Sequence, residues 1–124
     1  MKVESLEMEN FGDFLRQKCM DFAVDIVNLY KYLCETKKEY VLSKQMLRSG
    51  TSIGANLVEA QNGISRKDFV AKVFISLKEC SETDFWLELL FRTNYLTQQE
   101  YDGINYKCKE ITKILTSIAK NSRQ

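Results

Sequence analysis

The sequence predicts an all-α, antiparallel up-down-up-down four-helix bundle, and three observations support this prediction. Proline is absent and glycine occurs only five times in 124 residues, so little interrupts long helical segments. Apolar residues recur at steps of three and four, which is the spacing of one helical face. Helix-capping sequences lie between these segments and leave only short connections, which make neighbouring helices antiparallel.

The first helix is predicted from an apolar stripe that begins at Phe11. The stripe consists of Phe11, Leu15, Cys19, Phe22, Ile26, Leu29 and Leu33. Residues 1–10 precede this stripe and are rich in acidic side chains, so we expect a disordered tail there. The length of the chain, residues 1–124, predicts one domain with a single core.

The second helix is predicted to begin at a capping box, with Thr36 as the N-cap and Glu39 reaching back to it. Its apolar stripe is formed by Leu42, Met46, Ser49, Ile53, Leu57 and Ala60. Gly63 is well placed to end this helix in a left-handed conformation.

The third helix is predicted to start at Ser65, an N-cap residue with Asp68 three positions later. Ile64 and Phe69 occupy the two positions of a hydrophobic staple at this start. The helical pattern continues to about Asn94.

The fourth helix is predicted from a second capping box, Thr97 with Glu100, and from staple residues Leu96 and Tyr101. Its seam alternates steps of three and four through Tyr101, Ile104, Cys108, Ile111, Leu115, Ile118 and Ser122. An unbroken seam of this kind is typical of a helix in a bundle.

The segment from Arg48 to Gly63, RSGTSIGANLVEAQNG, is unusually rich in small and hydroxyl-bearing residues. Gly50 and Gly54 form a GxxxG spacing within it, and each interior glycine costs a helix about 1 kcal/mol relative to alanine. A compensating close approach of two helices is therefore expected. The alternative is that the small residues form a cradle for a ligand, and we favour close packing.

The third helix carries more apolar surface than one bundle core needs. Residues 85–91, FWLELLF, are apolar at every position except Glu88. We therefore expect this helix to face both its own core and a neighbouring subunit, because an exposed patch of this size favours association. The residues predicted to contribute to oligomer or helix packing are Gly50, Gly54, Phe74, Phe85, Trp86 and Leu89.

Lys78, Glu79, Glu82 and Trp86 share one face of the third helix. Paired carboxylates at this spacing could perform acid–base chemistry, but we favour a polar layer that pairs them with Arg48, Lys78 or Asn56 and sets helix register. The members of this predicted polar layer are Asn56, Glu59, Lys78, Glu79 and Glu82. No catalytic residue is therefore assigned, and the protein is not expected to be an enzyme.

The cysteines and the absence of histidine argue against a metal site. Cys19, Cys34, Cys80 and Cys108 lie far apart and form no CxxC pair, so we expect reduced thiols. Without histidine, the Glu-x-x-His pattern of di-iron bundles is impossible. No metal or cofactor is expected. The N-terminus lacks a signal-peptide pattern and no segment approaches the ~18 apolar residues of a membrane span, which predicts a cytoplasmic protein with no membrane partner.

The charge of the chain is near neutral overall but unevenly distributed. The formal net charge is +1, yet eight Lys/Arg stand against three acids between Lys37 and Lys78. The candidates for phosphate contacts are Lys44, Arg48, Arg66, Lys67 and Lys72. The alternative is a basic face that is only solvated and has no dedicated partner, and it explains the excess of Lys and Arg about as well.

Two stretches together carry a resemblance to a known family: LSKQMLRSGTSIGANLVEA over Leu42–Ala60 and ISLKECSETDFWLELL over Ile75–Leu90. With them the chain resembles, from about Phe22 to the end of the fourth helix, the four-helix bundle proteins of the 23S rRNA intervening-sequence family. The matching positions are Arg48, Thr51, Ser52, Ile53, Gly54, Asn56, Glu59, Lys78, Glu79, Glu82, Trp86 and Leu87. The mixture of small, apolar and charged residues at these positions fits packing and assembly better than catalysis.

The resemblance implies a four-helix bundle that is often a homopentamer. The family is similar to the accessory variability determinant of diversity-generating retroelements, a basic pentamer that associates with a reverse transcriptase and nucleic acid. The near-neutral charge of this chain departs from that strongly basic character.

These observations lead to two hypotheses about function. The first is a non-enzymatic homo-oligomeric scaffold, with a pentamer as the expected assembly, that binds RNA, DNA or a nucleic-acid enzyme through a basic surface. The alternative is a protein–protein interaction module that binds no nucleic acid.

Overall fold

The computed structural model of the chain describes residues 2–62 and 65–122, with side chains over 10–62 and 65–121. Four helices account for most of this part: α1 (Lys2–Glu35), α2 (Leu42–Gln61), α3 (Arg66–Arg92) and α4 (Gln98–Ser122). The described residues contain no β-strand. These helices confirm the all-α, four-helix prediction.

The helices form an antiparallel bundle in which each helix contacts the next in the chain and α4 returns to α1. The contact of α2 with α3 is the most extensive, and that of α1 with α4 is the smallest. Within the described ranges, the diagonal pairs α1 with α3 and α2 with α4 do not meet closely. No helix of those ranges combines the length and the apolar character needed to cross a bilayer.

The predicted starts of α3 and α4 are confirmed. The Ser65 side chain accepts a hydrogen bond from the Asp68 backbone N–H (3.1 Å). At α4, the Thr97 hydroxyl accepts from the Glu100 N–H (3.1 Å) while Glu100 Oε1 accepts from the Thr97 N–H (2.8 Å). Both caps depend only on residues that are close in sequence, which is why the sequence alone reveals them.

The predicted start of the second helix is wrong. Thr36 does not cap α2, because its backbone N–H donates to Tyr32 O (2.9 Å) and so belongs to the end of α1. Lys38 then adopts a left-handed conformation (φ 57°), and α2 begins only at Leu42. The capping group is the Glu39 carboxylate, which points forward and accepts from the N–H groups at the start of α2. Those donors are Val41 (3.0 Å), Leu42 (3.0 Å) and Ser43 (2.6 Å).

Two other helix boundaries differ from the sequence pattern. Helix α1 begins at Lys2, within the segment for which a disordered tail is expected. The end of α3 lies at Arg92, where Asn94 (φ 70°) and the bond from Tyr95 N to Leu90 O (2.9 Å) complete a Schellman-type turn. The predictions for Gly63 and Ile64 lie outside the described residues.

The predicted apolar stripes form the core. Their buried members include Leu15, Cys19, Phe22, Ile26, Leu33, Met46, Ile53, Leu57, Ala60, Ile104, Cys108, Ile111 and Leu115. Among the stripe residues whose side chains the structure describes, the exposed exception is Phe11, which is 47% exposed near the N-terminal end of its stripe. Burial raises the pKa of Cys19 and Cys108 to about 12 and that of Cys80 to about 11, so these thiols remain protonated in the core.

The glycines of α2 lie against α1. A Cβ atom added at Gly50 would come within 2.9 Å of two side-chain carbons of Ile26, and one at Gly54 would come within 3.2 Å of Cys19 Cβ. A larger residue at either position would therefore separate the two helices or displace a core side chain. This side of α2 leaves no space for the alternative, a ligand cradle.

Candidate interaction surfaces

The contact between α2 and α3 contains an ionic cluster centred on Arg48. Its guanidinium donates to Glu79 Oε2 (3.0 Å) and to Glu82 Oε2, and the same Glu82 oxygen accepts from Trp86 Nε1 (3.0 Å). The hydrogen bonds from Arg48 and from Trp86 lower the pKa of Glu82. The Glu82 carboxylate is thus held ionised, which does not suit a general acid, and both glutamates are occupied by hydrogen bonds from Arg48.

The other predicted members of the polar layer have separate partners. Asn56 Nδ2 donates to the backbone oxygen of Ser52 (2.9 Å) in its own helix and so does not join the glutamates. Glu59 pairs with Lys72 (2.9 Å) nearer the opposite end of the bundle. Lys78 is exposed beside Glu82, and its charge helps to lower the pKa of that carboxyl. The predicted layer is therefore one ionic cluster plus separate contacts.

Buried hydroxyl groups join α2 and α3 at positions for which the sequence analysis predicts no such role. Thr83 Oγ1 lies 2.9 Å from Ser49 Oγ, and Ser76 Oγ donates to the backbone oxygen of Ile53 (3.0 Å). The side chains of Ser49, Ser76 and Thr83 are fully buried. Ser49 stands within the apolar stripe predicted for the second helix and could have indicated this contact, because a buried hydroxyl needs a partner.

The five candidate phosphate contacts do not form one site. Arg48 and Lys72 are engaged in the ion pairs described above. In the described part of the chain, Lys44, Arg66 and Lys67 are exposed and form no ion pair. Lys44 lies in the first turn of α2, whereas Arg66 and Lys67 lie in the first turn of α3. These two turns are separated by roughly 25 Å along the bundle.

The outward face of α3 exposes large apolar side chains, in line with the sequence pattern. Phe85 is 59% exposed, and its ring packs edge-on against Trp86 with centroids 5.2 Å apart. Ile75 and Phe74 are also exposed on this helix. Trp86 and Leu89 are half-buried. Apolar side chains are therefore exposed at two places on the side of α3 that faces away from the core, with the exposed Lys78 and Ser81 between them.

A second apolar face lies on α1 and is not predicted by the sequence analysis. Met20 and Val24 are each 49% exposed, and together with Ala23 and Val27 they line a shallow depression of about 220 Å³. The spacing 20, 23, 24 and 27 is itself a helical stripe, so a search for a second stripe on the first helix would have found it.

The described residues contain no cluster of three or more His, Cys, Asp or Glu side chains suited to a metal ion. The four cysteines are free thiols, and three of them are buried in the core.

Comparison with known proteins identifies the family. The sequence profile of the 23S rRNA-intervening sequence proteins matches residues 15–117. The chain belongs to this family. A crystal structure of a protein of unknown function from the S23 ribosomal protein family of Bacteroides thetaiotaomicron is 56% identical and superimposes with a TM-score of 0.84. The match covers 86% of this chain and 98% of that one. Among curated proteins, no sequence matches.

Proposed function

We propose that this chain is a non-enzymatic scaffold that assembles into a homo-oligomeric ring and binds nucleic acid electrostatically. A pentamer is the assembly that the family resemblance implies. The observation that carries the proposal is the pair of apolar faces on α1 and α3, two helices that lie diagonally across the bundle and do not meet closely. The engagement of Glu79 and Glu82 by Arg48 supports the non-enzymatic part.

The two faces lie at the same height along the bundle. Gly54 lies against Cys19, while the neighbouring Ile53 accepts from Ser76. One turn further along, Gly50 lies against Ile26, while Ser49 lies beside Thr83. The segment 19–26 of α1 is therefore level with 76–83 of α3.

Two different faces at one height on opposite sides of a subunit suit a head-to-tail contact. The α1 face of one copy, with Met20 and Val24, would pack against the α3 face of the next, with Ile75 and Phe85. Helices α1 and α3 run in the same direction. A contact between α1 of one copy and α3 of the next therefore relates the two copies by rotation about an axis parallel to the helices. Such heterologous contacts form rings when the rotation closes.

The nucleic-acid part of the proposal is supported by the exposed cations Lys44, Arg66 and Lys67. One subunit has a near-neutral net charge of +1, so its own attraction for a polyanion is small. A ring presents each cation once per subunit, and simultaneous contacts multiply the effective affinity. Binding of this kind weakens steeply as salt concentration rises.

The native mass of the purified protein, measured with and without nuclease treatment, tests both parts. We expect a multiple of the 14.5 kDa chain that persists after nuclease treatment, and bound nucleic acid that is removed by it. The variant Phe85→Glu should dissociate the ring, whereas Tyr106→Glu, which alters an exposed aromatic residue on α4, should leave it intact. A wild-type protein that sediments only as a 14.5 kDa species at micromolar concentration would refute the assembly.

A further inference from the structure

The connection between α1 and α2 presents an exposed aromatic ring among lysines. Tyr40 is 56% exposed and Val41 is 70% exposed. Lys37, Lys38 and Lys44 are exposed beside them in sequence. We call these five residues the turn surface. In the described part of the chain, none of its lysines forms an ion pair and the Tyr40 ring stacks on no other ring.

The backbone beneath the turn surface is held in place by Glu39. Its carboxylate accepts three backbone N–H groups at the start of α2, and its own N–H donates to Leu33 O (2.9 Å). The Ser43 hydroxyl donates to the Glu39 carbonyl oxygen (2.8 Å). Because five hydrogen bonds hold this one residue, Tyr40 and Val41 project from an ordered turn rather than from a flexible loop.

Glu39 leaves the lysines of the turn surface without an acidic partner. Burial raises the pKa of its carboxyl, but the hydrogen bonds from the backbone N–H groups of Leu42, Ser43 and Val41 outweigh burial, so the net shift is downward. The carboxylate is thus satisfied inside the turn by backbone donors. Lys37 Nζ lies over the Tyr32 ring, 5.9 Å from its centroid, and this contact leaves its charge without a counter-ion. Among the described residues, all three ammonium groups therefore lack an anionic partner.

The chemistry of the turn surface fits a single strand of nucleic acid. Single-stranded sites combine cations that follow the phosphates with aromatic rings on which unpaired bases stack. A duplex keeps its bases stacked internally, so it would leave Tyr40 without a partner. A second copy of the same surface would bring lysines against lysines, which disfavours self-association here.

From this arrangement we infer that the turn surface binds single-stranded RNA or DNA. Tyr40 stacks on a base, and Lys37, Lys38 and Lys44 contact the flanking phosphates. This inference rests on the proposed nucleic-acid function and assigns it to one end of the bundle. Of the exposed cations that support the proposed function, it keeps Lys44, whereas Arg66 and Lys67, at the other end of the bundle, lie outside the single-strand site.

Fluorescence anisotropy with labelled oligonucleotides tests the assignment. The probes are oligo-uridine RNA, oligo-thymidine DNA and a mixed-sequence duplex, each of about 20 nucleotides so that one strand spans a complete site. Tyr40→Ala should weaken single-strand binding by about 5- to 100-fold, the range expected from loss of one stacked base. The matched control Tyr106→Ala removes a ring on α4 that is even more exposed, at 70%, and should bind like the wild type.

A charge-matched pair of variants locates the phosphate contacts. Lys37→Ala/Lys38→Ala should make the slope of log affinity against log salt shallower by about 1.4, because a single strand contributes roughly 0.7 per contact. Arg66→Ala/Lys67→Ala removes the same charge from the other end of the bundle and should leave the slope unchanged. Circular dichroism of each variant checks that the helices are retained.

The outcomes separate this inference from the proposed function. If the wild type binds single strands but only Arg66→Ala/Lys67→Ala loses affinity, the proposed function stands and the turn surface is refuted. Unchanged binding of Tyr40→Ala, or tighter binding of the duplex, also refutes it. No binding of any probe at low salt refutes both nucleic-acid statements. Binding of the RNA or DNA probe that is weakened by Tyr40→Ala and by Lys37→Ala/Lys38→Ala supports the inference. The ratio of the affinities for the RNA and DNA probes identifies the preferred strand.

Discussion

The two sides of α2 are built in opposite ways. Towards α1, the helix presents Gly50 and Gly54, and the space above them is filled by Ile26 and Cys19. Towards α3, it presents Arg48, Ser49 and the backbone oxygen of Ile53, each of which meets a polar partner. One contact relies on the absence of side chains, and the other relies on specific hydrogen bonds and ion pairs.

This difference teaches how one short segment can serve two neighbours. Close packing without polar groups tolerates small sliding movements but no added volume. Buried hydroxyl pairs and a two-carboxylate cluster tolerate some volume change but require one register, because a shift would leave polar groups unpaired. We therefore expect the α1 side to determine how closely α2 can pack and the α3 side to determine its register.

The largest expected effect is on the glycine side. Gly50→Ala should lower the free energy of unfolding by about 1–2 kcal/mol, because the cost of overpacking against Ile26 exceeds the gain in helix propensity. The matched control is Gly103→Ala in α4, where an added Cβ meets nothing within 4 Å. That substitution should raise the free energy of unfolding by about 0.5–1 kcal/mol. Urea denaturation measures both.

A double-mutant cycle distinguishes a steric clash from other causes. Ile26→Ala removes the side-chain atoms that an added Cβ at Gly50 would meet. In that background, Gly50→Ala should become neutral or stabilising. If the cost of Gly50→Ala is the same in both backgrounds, the close contact with Ile26 is not its source.

A smaller loss is expected from the buried hydroxyl pair on the α3 side. Thr83→Val keeps the side-chain shape but removes the hydroxyl that lies 2.9 Å from Ser49 Oγ, and it should cost about 1–1.5 kcal/mol. In the Thr83→Val background, Ser49→Ala should lower the free energy of unfolding by less than it does in the wild type, because the two hydroxyls share one interaction. Strict additivity in urea denaturation would contradict the pairing.

The smallest loss on the α3 side is expected from the ionic cluster. Arg48→Met should cost about 1 kcal/mol at pH 7, since Arg48 itself is half exposed and Glu82 remains partly hydrated, although the largely buried Glu79 also loses its ion pair. Lys72→Met disrupts the more exposed pair with Glu59 and should change stability by less than about 0.5 kcal/mol.

The pH dependence of the same variant gives an independent test. The folded pKa of Glu82 lies below the ordinary value of 4.5, so its ionised form stabilises the fold above that value. This contribution is lost as the pH falls through the lowered pKa. The difference in stability between wild type and Arg48→Met should therefore shrink between about pH 7 and pH 3. A difference that stays constant over this range would argue against the ion pair.

The fold was largely predictable because its signals are local. Ser65 with Asp68 and Thr97 with Glu100 form caps within four residues, and the heptad-like stripes need no knowledge of distant residues. One failed prediction, the start of α2, concerns a local sequence that suits two roles. Thr36 to Glu39 reads as a capping box, but the left-handed Lys38 ends α1 first and turns the Glu39 carboxylate forward.

The candidate surfaces were less predictable than the fold. Lys44, Arg66 and Lys67 could be selected as exposed cations from composition, but their separation to opposite ends follows from how the helices are laid side by side. The α1 face with Met20 and Val24, and the exposed ring of Tyr40, depend on which side of each segment the neighbouring helices cover.

Local pattern was therefore sufficient for the number of helices, the starts of α3 and α4 and the core stripes, since capping and periodicity operate over a few residues. The choice of partners depended on tertiary packing. Arg48 could have met solvent, phosphate or either glutamate, and only the register of α2 against α3 brings it to Glu79 and Glu82. Long-range contacts between residues 31 or 34 positions apart form only after the helices pack, and it is this packing that separates the cations engaged in ion pairs from those left without one.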